Sequence, residues 1–152
     1  MKRREILKMT VASTALAATA AVRAASDPAR PLTPPAKGNI PVAFLVSEGA
    51  QVIDFAGPWE VFQDALLPGR EASPFDLFTV AESTKPIRAT GGLQIIPDYD
   101  LNTAPQPKLV VVPAQSPPTE ATKAWLRRTS QQADLTISVC TGAFVQIGRA
   151  HV

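Results

Sequence analysis

The sequence predicts a doubly wound α/β domain built on a mostly parallel sheet, and three observations support this fold class. Short apolar runs rich in β-branched residues recur at 40–46, 75–81, 109–113 and 135–139, and each has the length of a buried strand. Helical patterns separate the first two runs and the last two. The last run leads almost directly into a further helix. Strands that alternate with helices favour parallel pairing with right-handed crossovers.

The first 24 residues have the features of an export signal. Arg3 and Arg4 form a basic pair, an uncharged Ala- and Thr-rich stretch follows at 9–22, and Val22-Arg23-Ala24 offers small residues for signal peptidase. This arrangement resembles a twin-arginine (Tat) signal, which implies the Tat translocase as a partner and a periplasmic or secreted protein. The stretch is too short and too weakly apolar for stable membrane insertion. The alternatives are a basic helix that stays on the protein and an uncleaved anchor.

Charge and composition exclude several function classes. The chain has 15 basic and 13 acidic residues, but five basic residues and one acidic residue fall within 1–24. The remainder therefore has ten basic and twelve acidic residues, a net charge of −2. No basic stripe is present, so we expect no nucleic-acid partner. One cysteine and one histidine cannot form a zinc site, and Gly91-Gly92 lacks the spacing of a dinucleotide-binding motif. We expect no metal and no cofactor.

The elements follow in order after a proline-rich linker at 25–38. The folded part spans 39–145 and begins with the strand 40–46. Pro58 suits the first position of a helix that runs to Leu66. A strand at 75–81 follows, then a strand or hairpin arm at 90–97 entered through paired glycines, and a polar connection at 98–103.

The second half repeats the strand–helix alternation. The strand 109–113 precedes an amphipathic helix at 119–133, with Thr119 as its N-cap. The helical spacing predicts that Ala121, Ala124, Trp125 and Leu126 face inward. In doubly wound sheets the ligand crevice lies at the carboxyl ends of the strands. That rim is where Glu48, Asp54, residues 113–115 and Cys140 are expected.

Cys140, the only cysteine, stands where the strand 135–139 turns into the last helix. A side chain at such a junction projects over the N–H groups that open the helix, and these donors favour a thiolate with a lowered pKa. This is the arrangement of a nucleophile elbow. The alternative is a small buried hydrophobic residue that ends a core strand.

A nucleophilic cysteine needs a partner for its proton. Asp54, just after the first strand, is the main candidate, and from its position an acid–base role and a local helix-capping role are equally supported. Glu48 and Glu60 are competing carboxylates. Thr141 offers a hydroxyl and an N–H group to a developing anion. Since Gly142 has no Cβ, a substrate can approach the backbone there.

Four motifs in this order resemble the DJ-1/PfpI family of the class I glutamine amidotransferase-like superfamily, at 40–62, 91–97, 109–113 and 138–144. The block Asp54–Glu60 and the pair Cys140-Thr141 are most similar to its isonitrile hydratase-like branch. The resemblance implies a flavodoxin-like sheet with a nucleophile elbow. It also implies Cys140 as the nucleophile, Asp54 as the facing carboxylate and Thr141 as the assisting neighbour. The implied reaction is metal-free hydration of an isonitrile to an N-substituted formamide.

The chain departs from this family in two places. Ala114-Gln115 stands where many members have Gly-Gly, which narrows the pocket and adds an amide. We assign substrate contacts to Ala114, Gln115, Gly49 and Gly142. Family members also continue beyond the elbow. We therefore expect an incomplete C-terminus and a marginally stable or aggregating product, and we assign the activity and a homodimer to the full-length parent.

Two other functions remain open from the sequence. A related branch of the superfamily forms ligand-sensing domains of transcription regulators, which an export signal disfavours. A glyoxalase or deglycase that acts on damaged carbonyls would use the same thiol. A small-molecule substrate is expected for either enzyme.

Residues 146–152 show no further pattern, and we interpret them as an artefactual tail. Ile147 to Val152 can be encoded by a common sequencing-library adapter, and for that reason we assign no role to His151. Resequencing the locus from genomic DNA should replace the tail with a different continuation. Recovery of the same tail followed by a stop codon would contradict this interpretation.

Overall fold

The computed structural model describes residues 38–147. The signal, most of the linker and His151 lie outside the described residues. The elements are, in order, β1 (Ile40–Leu45), α1 (Val52–Gln63), β2 (Phe75–Ala81), β3 (Ile87–Arg88), a 3₁₀ turn (Thr90–Gly92), β4 (Gln94–Ile95), β5 (Tyr99–Asp100), β6 (Leu109–Val112), α2 (Glu120–Gln132), β7 (Leu135–Ser138) and α3 (Gly142–Ile147).

Five of these strands form one parallel sheet in the order β5-β2-β1-β6-β7, while β3 and β4 form a separate antiparallel hairpin. The chain leaves β1 towards β2 on one side and later adds β6 on the other side. The order of strands therefore reverses between β1 and β6. This is the switch point at which open α/β sheets bind ligands, at the carboxyl ends of the strands.

Helices cover both faces of the sheet, because alternate residues of the central strands point to opposite sides. Val42, Phe44 and Val111 pack against the aromatic residues of α1. Ala43, Leu45, Val110 and Val112 pack against Trp125 and Leu126 of α2 and against Val145 of α3. The predicted fold class, a doubly wound and mostly parallel sheet, is confirmed.

Helix α1 begins six residues before the predicted Pro58, which lies inside the helix. The cause is a set of tertiary contacts at its first turn. Gln51 N–H donates to the carbonyl of Ala114 (2.8 Å), and Val52 N–H donates to Oγ1 of Thr90 (3.1 Å). These distant acceptors satisfy N–H groups that a helix start leaves free, so the helix starts without a local capping side chain.

Helix α2 starts as predicted, since the Thr119 hydroxyl accepts the N–H of Thr122 (3.2 Å). The predicted inward face needs one correction. Ala121 is exposed, whereas Thr122 is buried, because the inner face of the helix consists of Thr122, Trp125, Leu126 and Thr129 at helical spacing. The hydroxyl of Thr122 donates to Oε1 of Glu82 (2.8 Å). The predicted polar connection at 98–103 also contains the short strand β5, which pairs with the end of β2.

Candidate active site

Cys140 occupies the sharp turn between β7 and α3. Its thiol is free and the residue is exposed. Its φ angle is +55°, and it is the only residue other than glycine with a positive φ between residues 38 and 147. A side chain in this left-handed region costs about 1–3 kcal/mol, and such residues concentrate at functional sites. The strained backbone conformation of the elbow therefore coincides with an exposed cysteine.

The N–H groups around the elbow divide into bonded and free donors. Those of Gly142, Ala143 and Phe144 donate to the carbonyls of Val139, Cys140 and Thr141, at 3.0, 3.4 and 3.0 Å. Those of Cys140 and Thr141 donate to no acceptor within residues 38–147. The two donors that remain for an anion are therefore those of the cysteine itself and of Thr141.

Gly142 is required by the packing of the elbow on β6. A Cβ at this position would lie 2.1 Å from the carbonyl oxygen of Val112 and 2.8 Å from the carbonyl carbon and oxygen of Pro113. The residue is buried. Val139 N–H also donates to the Val112 carbonyl (2.9 Å), so the two residues flanking Cys140-Thr141 are both held on the same strand end. This contact, rather than the approach of a substrate, explains glycine at position 142.

Asp54 lies in the first turn of α1 and is buried, with 7% of its surface exposed. Its Oδ2 accepts the N–H of Ala114 (3.2 Å), and its side chain does not cap the helix. Oδ1 accepts no hydrogen bond from residues 38–147. Of the two roles that the sequence left open, the local cap is therefore excluded by the geometry. One carboxylate oxygen is anchored to the loop after β6, and the other remains free.

The loop after β6 connects the two candidate groups. Gly142 contacts Val112 and Pro113, and the next residue, Ala114, exchanges hydrogen bonds with both Gln51 and Asp54. Because β1, β6 and β7 are adjacent and parallel, their carboxyl ends form one rim. Cys140, Thr141, Gly142, Ala114 and Asp54 thus assemble around a single backbone segment.

The remaining sequence-predicted residues lie beside this group. Gly49 has φ +71° and donates its N–H to the Arg88 carbonyl (2.8 Å). Gln115 Nε2 donates to the Leu45 carbonyl (3.1 Å), while its buried Oε1 has no donor within the described part of the chain. The competing carboxylates Glu48 and Glu60 are both exposed, and Oε2 of Glu48 accepts the N–H of Arg88 (3.2 Å).

Sequence reasoning missed the link from Gln51 to Ala114 and the cluster formed by Glu82, Thr119 and Thr122. The spacing of Thr119 and Thr122 indicates a capped helix start, but no nearby residue in the sequence indicates that Glu82 is their partner. No group of three or more His, Cys, Asp or Glu side chains that could hold a metal occurs between residues 38 and 147. Nor does any helix in this range have the length and apolarity needed to cross a membrane.

No family model matches the sequence, although known proteins resemble it in sequence and in structure. The chain is 33% identical over 109 residues to an uncharacterized protein encoded in the cpoL 5' region of Streptomyces lividans, covering 68% of this chain and 75% of that protein. It also matches the crystal structure of a ThiJ/PfpI family protein from Pseudomonas syringae, with 26% identity, a TM-score of 0.63 and coverage of 74% of this chain.

The chain has the fold of the DJ-1/ThiJ/PfpI superfamily, and its likeness to the Pseudomonas protein supports a place in it. Its fold also matches Drosophila melanogaster DJ-1beta, at 15% identity, a TM-score of 0.61 and coverage of 74% of this chain and 61% of that one. A candidate transcriptional regulator from Vibrio parahaemolyticus matches at 17% identity and a TM-score of 0.62, over 74% of this chain and 62% of that one. The chain spans 46% of the length of the Pseudomonas protein and less than two thirds of the other two.

The packing of the elbow predicts unequal effects for two Gly→Ala substitutions. Gly142→Ala should destabilise the protein by about 1–3 kcal/mol or more, because the added methyl group meets the backbone of β6. Gly57→Ala, in α1, meets no atom within 4 Å beyond its chain neighbours and should change stability by less than about 1 kcal/mol, because the gain of alanine in a helix interior is opposed by contact of its Cβ with the Cδ of Pro58. Urea unfolding followed by circular dichroism measures both. Equal stability of the Gly142→Ala variant and the wild type would contradict the packing role.

Proposed function

We propose that this protein is an exported cysteine-dependent enzyme of the isonitrile hydratase type, which converts an isonitrile to an N-substituted formamide. The single observation that carries the proposal is the strained, exposed Cys140 at the β7–α3 elbow. A left-handed conformation at a cysteine is retained where the surrounding packing enforces it, and Gly142 on β6 provides that packing.

The reaction divides between the thiol and the carboxylate. The Cys140 S–H bond adds across the terminal carbon of R–N≡C, so that sulfur bonds to carbon, the proton moves to the same carbon, and a thioimidate R–N=CH–S forms. Asp54 then removes a proton from water as the water oxygen attacks this carbon, and Asp54 passes that proton to the nitrogen, which gives R–NH–CH(OH)–S–Cys140. The C–S bond breaks, the hydroxyl proton moves to the sulfur and restores the thiol, and R–NH–CHO leaves.

The geometry supports these roles in two ways. The free Oδ1 of Asp54 is the oxygen available to water, because Oδ2 is already bonded to Ala114. The free N–H groups of Cys140 and Thr141 are available to negative charge that develops next to the sulfur. Ala114 supplies its N–H to Asp54, so the loop after β6 serves to orient the carboxylate.

A ligand-sensing domain is the second candidate, since the Vibrio protein shares the fold. A sensor binds its ligand without turnover, whereas an enzyme releases product. A 2-oxoaldehyde substrate, in place of an isonitrile, would indicate a glyoxalase or deglycase. These functions are therefore separated by one assay with two substrates and a binding measurement.

Substitution of the two candidate groups should abolish formamide formation from cyclohexyl isonitrile. We expect Cys140→Ser to lower kcat/KM by at least about 10³-fold, because it replaces the nucleophile. Asp54→Asn should lower kcat by about 10²–10⁴-fold through loss of acid–base catalysis. Asp64→Asn, an exposed position at the end of α1, is the matched control and should leave the rate unchanged. Circular dichroism verifies that each variant is folded.

Activity of the Cys140→Ser variant equal to wild type would overturn the enzymatic proposal. If the wild type converts methylglyoxal but forms no formamide from the isonitrile, the substrate is a 2-oxoaldehyde and not an isonitrile. Tight binding without any product would favour the sensor.

Export is the other part of the proposal, and it rests on Arg3, Arg4 and the stretch that follows. Replacing both residues by lysine keeps the charge but removes the arginine pair. The double variant should accumulate in the cytoplasm, whereas Lys2→Arg should be exported like wild type. Cell fractionation in a Tat-competent host and in a Tat-deficient host measures this. Export of the double variant, or export in the deficient host, would contradict the Tat route.

A further inference from the structure

A second concave site lies on the same rim as the elbow. It is a cleft of about 410 Å³ at the carboxyl ends of β2, β1 and β6, and it is lined by residues 46–48, 81–83, 85–87 and 115–119 and by Thr122. Neither Cys140 nor Asp54 lines it. The cleft bridges β1 and β6, where the strand order reverses, which is the position at which open α/β sheets bind ligands.

The ionisable groups of the cleft are Glu48, Glu82 and Lys85, which together carry a net negative charge. Within residues 38–147, neither carboxylate lies within 4.0 Å of a cationic nitrogen. Within the same residues, the carboxylate of Glu48 accepts only the N–H of Arg88, through Oε2. Each carboxylate therefore keeps an oxygen that accepts no hydrogen bond from this part of the chain.

The start of α2 already holds an anion. The hydroxyls of Thr119 and Thr122 both donate to Oε1 of Glu82, so a carboxylate of the protein occupies the place where an anionic ligand would bind a helix N-terminus. A second negative charge at this point would be repelled. The cleft thus disfavours anions and offers acceptors to a donor-bearing cation.

The rest of the lining is mainly hydrocarbon. Its apolar residues are Val46, Ala81, Pro86, Ile87, Pro117 and Pro118, of which Val46 and Ala81 are almost fully buried. A ligand that fills this volume buries a short apolar body against these side chains, and burial of such a body is favourable.

We propose that this cleft binds small protonated amines with a short apolar chain, with the ammonium group facing Glu48 and Glu82. The ammonium group has three donors and no acceptor, which complements two carboxylates that lack cationic partners. The apolar chain packs against Ile87, Pro117 and Pro118, three apolar lining residues that are not buried. The site is separate from the elbow, so the proposal does not depend on the isonitrile reaction.

Three probes of equal length test the proposal by NMR titration of the ¹⁵N-labelled protein: n-butylammonium, butyrate and 1-butanol. Butylammonium should bind saturably, shift the amides of residues 46–48, 81–87 and 115–122, and weaken as NaCl is added. Butyrate and butanol should bind at least about tenfold more weakly. Equal binding of either one, absence of butylammonium binding, or shifts centred on Cys140 would overturn the proposal.

Substitutions test which charged side chains of the cleft affect the binding of the ammonium group. Glu48→Gln keeps an acceptor for Arg88 and should weaken butylammonium binding about tenfold. Glu71→Gln, at an exposed position outside the cleft, is the matched control and should have no effect. Lys85→Met removes the cation of the lining and should tighten binding, which gives a second readout if the Glu48 variant does not fold. Unchanged affinity in both Glu48→Gln and Lys85→Met would contradict the site.

Discussion

The close contact between Gly142 and the carbonyl of Val112 is the constraint on which the candidate site depends. Only glycine fits here, because a Cβ would overlap the backbone oxygen of the strand. A larger residue would move the start of α3 away from β6, and Cys140 would move with it. The position of the sulfur is therefore set by backbone packing two residues downstream.

The same strand end also holds the opposite side of the site. Ala114 accepts the N–H of Gln51 and donates its own N–H to Asp54, so the start of α1 is fixed to the loop after β6. Val112, Pro113 and Ala114 thus position both the thiol and the carboxylate. The strain at Cys140, about 1–3 kcal/mol for a left-handed residue, is offset by this packing and by the pairing of β7 with β6.

The rim presents two kinds of surface, and Gln115 lines one of them. The first contains the exposed sulfur of Cys140, the N–H groups of Cys140 and Thr141, and the Asp54 carboxylate, of which only Oδ2 accepts a hydrogen bond from residues 38–147. The second, the cleft, offers carboxylates and hydrocarbon. Gln115 follows Ala114, lines the cleft and is bonded to the end of β1. The departure from Gly-Gly at 114–115 thus adds a side chain whose amide ties the loop after β6 to the end of β1.

The local sequence was sufficient to predict the limits of four strands and the start of helix α2. The strands β1, β2, β6 and β7 lie within one residue of their predicted limits, because each is a short run dominated by apolar and β-branched residues, and the central strand β6 is buried on both faces. The cap at Thr119 was also predictable, since its donor lies three residues along the chain. The same local pattern placed Cys140 on the turn between strand and helix.

Tertiary structure decided what depends on distant partners. Helix α1 begins before Pro58 because Thr90 and Ala114, 38 and 63 residues away from their donors, satisfy its first N–H groups. Asp54 is an anchored, buried carboxylate rather than a cap because its partner is Ala114. The hydroxyl of Thr122, a polar residue on the inner face of α2, is satisfied by Glu82, 40 residues away. Periodicity reports which residues prefer burial, but hydrogen bonds between distant segments determine which polar atoms meet, and only the folded chain brings these together.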